Sequence, residues 1–87
     1  MNQCFLSSPR IIGYQPVPSK YVLNVDMVVV DSSNNVYTGP LGVYNIDFTD
    51  GEQTIHENII STLKSWVLSQ YGITLLDSEI RLINYSL

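Results

Sequence analysis

The sequence predicts an α+β fold: a small antiparallel sheet in ββαβ order with one amphipathic helix packed on one face, preceded by an extended N-terminal arm. Three observations carry this. Apolar residues recur at helical spacing over 54–72, TIHENIISTLKSWVLSQYG; they alternate at strand spacing on either side of that stretch; and the first nineteen residues hold Pro9, Pro16 and Pro18. The implied division is an arm over residues 1–19 and a single α+β domain over residues 20–87.

Proline fixes φ and biases the residue before it toward extended geometry, so MNQCFLSSPRIIGYQPVPS reads as an extended or polyproline-like arm, not as helix or a central strand. Disordered tails are poor in large apolar groups, whereas this segment holds Phe5, Leu6, Ile11, Ile12, Tyr14 and Val17. Those side chains need a surface. It is either the arm's own domain, which the arm wraps or joins as an edge strand, or a neighbouring subunit, for which these six residues are the candidate contacts.

Over 20–30, KYVLNVDMVVV, the set Tyr21, Leu23, Val25, Met27 and Val29 forms one apolar strand face and the other face is mixed. DSSNN over 31–35 is turn vocabulary, because Asp and Asn bond their own backbone and tolerate positive φ. A second hairpin arm follows, broken by Gly39, Pro40 and Gly42 in the manner of a bulge, kink or edge, and Tyr44, Ile46 and Phe48 are expected to face the helix.

The helix carries a capping-box pattern, Thr54 with Glu57, which places its N-cap at Thr54. Ile55, Ile59, Ile60, Leu63, Trp66, Val67 and Tyr71 form its apolar stripe, and Gly72 is its left-handed stop. A final strand is expected over 79–85, with Ile80 and Leu82 on one side and Arg81, Ile83 and Tyr85 on the other.

Composition narrows function. Only 14% of residues are charged, against about 25% in an ordinary soluble domain. A sparsely charged, tyrosine-rich surface suits burial against partners. Net charge is −4, and Arg10, Lys20, Lys64 and Arg81 are spread along the chain, which argues against nucleic acid as a partner. The single Cys4 rules out an internal disulfide or a cysteine-based zinc site. No stretch reads as a leader or a membrane span, so a soluble, unexported protein is expected.

The chemistry of catalysis is not spelled out. His56 is the one histidine, expected at the surface, with no second ligand at helical spacing. DFTDGEQTIHEN lacks the ligand spacing of a calcium loop, and no GxSxG elbow occurs. The reading is therefore no enzyme, no metal or cofactor, and no small-molecule substrate. Among the aromatics, Tyr44, Trp66 and Tyr71 are expected in the core; Tyr14, Tyr37 and Tyr85 are candidates for an interface.

The runs VDMVVVDSSNNVYTGP, NIDFTDGEQTIHENIISTLKSWVLSQYGI and LLDSEIRLI resemble small structural proteins of tailed bacteriophages, of the capsid-cement or tail-accessory kind. The resemblance is one of pattern and spacing over about three quarters of the chain, and the Gly39-Pro40 break departs from it. It implies a virion location, a homo-oligomer of trimeric or other symmetry, a major capsid or tail protein as partner, and an arm whose Phe5, Ile11, Ile12 and Tyr14 latch onto a neighbour. A tail or neck accessory protein, or a small monomeric module that inhibits a host protein, is the alternative.

Overall fold

The alternation of the second stretch becomes a buried strand face. In the computed structural model, which describes residues 1–14 and 20–87, strand β2 (Tyr21–Val30) buries Leu23, Val25, Met27 and Val29. It is flanked by β1 (Gln3–Tyr14) and β3 (Val36–Ile46), both antiparallel to it. Helix α1 (Glu52–Tyr71) follows, then a 3-10 turn at Asp77–Glu79 and strand β4 (Ile80–Ile83). The sheet order is β3-β2-β1-β4.

The expected α+β class holds, but the sheet is mixed where an antiparallel one was expected, because β4 runs parallel to β1. The cause is the helix. A crossover along one face of a sheet returns the chain to the end where the previous strand began, so the next strand runs parallel to the last.

The larger departure is the arm. Gln3–Tyr14 is a strand inside the sheet, paired to β2 on one side and through Cys4–Ser7 to β4 on the other. Cys4 and Leu6 are wholly buried, so the surface that the segment takes is its own domain's. Pro9 is accommodated because Ser8 and Pro9 bulge from the ladder between the Ser7–Asp26 and Arg10–Asn24 pairs, with Ser8 at φ 53°. A bulged residue needs no ladder hydrogen bond. Val17 and the side chain of Tyr14 lie outside the described residues.

A second bulge resets β3. The register slips between Tyr21–Ile46 and Leu23–Val43, with Asn45 at φ 61°. The inward set is therefore Leu41, Val43 and Ile46, while Tyr44 and Phe48 are exposed. An inserted residue reverses the parity of a strand, which is why Ile46 faces the helix as expected while Val43, not Tyr44, is the inward residue before it; Phe48 lies past the end of β3. Pro40 sits within β3, an edge strand, where proline is tolerated.

Helix α1 packs Ile55, Ile59, Leu63 and Val67 on the sheet, with Ile60 and Tyr71 half-buried beside them; Trp66, expected in the stripe, is 43% exposed. The helix begins a turn before Thr54. Gly51 is the N-cap, the Ile55 N–H donates to the Gly51 carbonyl at 3.2 Å, and no side chain among the described residues caps the end. Once a helix is nucleated each added residue gains a hydrogen bond, and the Glu52 carboxylate suits the positive end of the dipole. Gly72 closes the helix as expected, at φ 68° with its N–H on the Leu68 carbonyl at 3.0 Å.

Side chains fasten the ends. Asp31 Oδ1 accepts from the backbone N–H groups of Ser33 and Asn35, both at 2.9 Å, and these bonds hold its carboxyl below the usual carboxylate range. The buried Glu79 carboxylate accepts from the backbone N–H groups of Leu76 at 2.8 Å and Asn2 at 3.1 Å, tying the first strand to the turn before β4.

Candidate functional site

The six arm residues are dispersed by the pleat. Leu6 is in the core, and the monomer presents it on no surface; Phe5 points to the opposite side of β1 and is half-buried; Ile11 and Ile12 are 51% and 54% exposed. Tyr37 and Tyr85 lie toward opposite edges of the sheet. Tyr37 stacks on Tyr71 with centroids 4.2 Å apart and donates to Asp31 Oδ2 at 3.4 Å. Tyr85 was expected beside Arg81 and Ile83. Asn84 at φ 48° ends β4 first, and the Tyr85 ring meets His56 of α1 edge-on.

His56 is therefore half-buried, not a bare surface histidine. Its Nδ1 lies 3.0 Å from the Tyr85 hydroxyl, which donates to it when the imidazole proton is on Nε2. Burial pushes the Tyr85 phenol up to about 12. No acid is hydrogen-bonded to this imidazole among the described residues, and the buried Glu79 is occupied by two backbone donors. The pair lacks the oriented base that nucleophilic catalysis needs. It fastens the C-terminal tail to the helix.

Among the described residues, two surfaces remain uncovered. The first is the sheet face away from α1. Pairs in register share a face, which gives one row of Arg81, Phe5, Val28 and Thr38 and a second of Ile83, Ser7, Asp26 and Pro40. Val30 and Val36 lie beyond the first row; Asn24 and Gly42 lie beyond the second, with the Tyr44 ring over Gly42. Arg10 and Asp26 form a 3.0 Å ion pair in the middle. Apolar ends thus flank a polar centre. The exposed large apolar members are Val36, Tyr44 and Ile83, with Tyr44 the most open of these at 60%; Arg10, Asp26, Thr38, Pro40 and Arg81 are exposed among them.

The second is a groove of about 710 Å³ between α1 and β4. One helix stripe forms its wall, from Gln53 and His56 through Ile60 to Lys64, and Ile80 and Leu82 form the other side. Lys64 is paired to Asp77 at one end. β4 is the outer strand, so its far edge has no strand beside it among the described residues.

The sequence reading missed these surfaces for definable reasons. Val22, Val28 and Val30 were visible as a mixed second face, but their being uncovered depends on the helix lying wholly on the other side. The groove depends on β4 lying beside β1, which no local pattern encodes. No protein-family model matches this chain, and neither the curated proteins nor the solved structures compared with it give a match.

Proposed function

We propose that the chain is a non-enzymatic structural protein of a virion, a capsid cement or decoration protein of the tailed-phage kind, which lays the uncovered face of its sheet against a shell or tail protein. The observation that supports this reading is that face: Phe5, Val22, Val28, Val30, Val36, Tyr44 and Ile83 carry no second layer among the described residues. A sheet with one face in water normally alternates apolar inside with polar outside. Here the outer side is apolar at both ends, in a chain with few charges. Apolar side chains exposed at the two ends of one sheet face, on either side of the Arg10–Asp26 pair, support a contact surface there.

The Arg10–Asp26 pair at the centre of the face gives such a contact its register, since it must meet polar groups or stay wet. The test is co-sedimentation of the purified chain with virions, for wild type and for Val36→Asp and Tyr44→Asp. Both positions are exposed, so the fold tolerates the change. Wild type is expected in the particle fraction and both variants in the supernatant. Equal retention of the variants, or no retention of wild type, sinks the reading.

A further inference from the structure

Charge is unevenly divided between the two sides of the sheet. The chain has four basic and eight acidic residues, a net charge of −4. The uncovered face holds Arg10, Arg81 and Asp26, because Arg10 is in register with Asn24, and Arg81 with Phe5 and Val28. Two arginines and one aspartate make that face +1; Lys20 and Lys64 with the other seven acids leave −5 for the helix side, the loops and the strand ends. Three of the four cations are neutralised where they stand: Arg10 by Asp26 at 3.0 Å, Lys20 by Asp47 at 3.4 Å, and Lys64 by Asp77. Arg81 is exposed and has no ion-pair partner among the described residues. The acid nearest to it in sequence, Glu79, is buried and accepts from two backbone N–H groups.

We infer that the partner of this face is a protein surface that presents a carboxylate to Arg81 within an apolar surround. The inference rests on the reading of the face as the docking surface and names the chemistry of what docks there. Phe5 is directly opposite Arg81 across the β1–β4 ladder, and Val28 is opposite Phe5 across the next. Ile83 is two residues on from Arg81 along the same side of β4. Any partner laid over this apolar row takes the guanidinium out of water, and a desolvated charge left unpaired is costly. A partner with a carboxylate at that point offsets the cost, since the planar fork of arginine matches a carboxylate with two parallel hydrogen bonds. A surface without one is rejected by the same residue.

Magnitude separates this partner from other anions. Nucleic acid is held by neutralising several phosphates at once, and an anionic lipid surface by clusters of roughly four to eight basic residues. One unpaired cation beside Phe5, Val28 and Ile83 suits neither. A second copy laid face to face would set +1 against +1, which opposes association. A copy offering an acid from its helix side would make a head-to-tail contact that does not close on itself, and its sign would be a mass that grows with concentration.

The experiment compares Arg81→Gln with Lys20→Gln. Both variants of the full chain lose one cation from a net charge of −4, so only the place of the loss differs. Arg81 is exposed, and its loss leaves the core intact. The first arm needs no virion: chromatography at pH 7 and low salt on a resin that bears carboxylate and phenyl groups, and on one that bears carboxylates alone. Wild type, acidic as it is, is expected to be held by the mixed resin and to pass through the plain one. Lys20→Gln is expected to behave as wild type does, and Arg81→Gln to elute early. The second arm is co-sedimentation with virions, where Arg81→Gln is expected to weaken binding at least about tenfold and Lys20→Gln less than about twofold, with wild-type binding falling as salt rises. Failure of the mixed resin to hold wild type overturns the inference, as does equal behaviour of the two variants on it. Virion binding indifferent to Arg81→Gln overturns the inference and leaves the virion reading standing. Retention that depends on Arg81 in a chain that binds no virion sinks the virion reading alone. Self-association that grows with concentration and is abolished by Arg81→Gln would give the site to a second copy and overturn the inference.

Discussion

The two halves of strand β1 have similar composition and opposite fates. Cys4 and Leu6, before the bulge at Ser8 and Pro9, are wholly buried beneath α1 and between two strands. Ile11 and Ile12, after it, are more than half exposed and have one neighbouring strand among the described residues. Hydrophobicity does not separate them. What does is the length of β4, four residues, which covers only the first half. An apolar side chain is core or contact surface according to what the rest of the chain has left to lay over it.

The sharpest way to break this comparison is to truncate one residue in each half. Leu6→Ala leaves a cavity in a close-packed core and is expected to cost about 3 kcal/mol of unfolding free energy in urea titration, a large part of what so small a domain has. Ile11→Ala is expected to change stability by less than about 0.5 kcal/mol. Comparable losses at the two sites would mean that the second half of the strand is covered within the monomer.

Thiol chemistry sharpens the same contrast with a smaller energy at stake. Burial pushes the Cys4 thiol up to about 11. Only the thiolate reacts, so Cys4 is expected to resist an aromatic disulfide reagent at pH 8 and to react at the rate of unfolding. In the Ile11→Cys variant the second thiol is expected to react at once, giving one fast and one slow equivalent. The raised value also carries a pH dependence. Because the folded state holds the thiol neutral, the stability it contributes is fully present below about 8.5, the ordinary cysteine value, and is lost as pH rises through about 11.

How much of this was legible depended on whether the signal was local. The buried face of β2 was, because Leu23, Val25, Met27 and Val29 alternate without interruption. The helix and its Gly72 stop were, although Thr54 promised an N-cap that Gly51 supplies one turn earlier. The inward face of β3 was not, since a single inserted residue at Asn45 inverts it. Nor was the place of the first segment. Pro9 read as a reason to keep it out of the middle of the sheet, leaving an edge strand or a wrap over its own domain or a neighbour, yet one proline at a bulge excludes no position in the sheet. The groove and the half-covered edge of β1 are farthest from local signals, because both follow from a parallel pairing of Cys4–Ser7 with Ile80–Ile83, more than seventy residues apart.

The bulge that divides the halves is itself open to test, with the smallest effect of the three. Ser8 holds φ at 53°, a left-handed conformation that costs a residue with a Cβ about 1 kcal/mol relative to glycine. Glycine gives back part of that gain through the greater entropy of its unfolded chain. Ser8→Gly is therefore expected to raise stability slightly, by about 0.5 kcal/mol or less, whereas Ser8→Val, whose branched side chain fits that region poorly, is expected to lower it by about 1 to 2 kcal/mol. Both variants keep the Ser8 N–H that donates to Asn84. Thermal unfolding at fixed concentration reads the pair. Opposite signs at one exposed position place the effect in the backbone, and so place the boundary between the covered and uncovered halves of β1 in a turn of the chain at Ser8, where Asn84 ends the cover that β4 provides. A valine variant as stable as the glycine one would mean that this kink is relaxed in solution and that β1 runs straight past its covering strand.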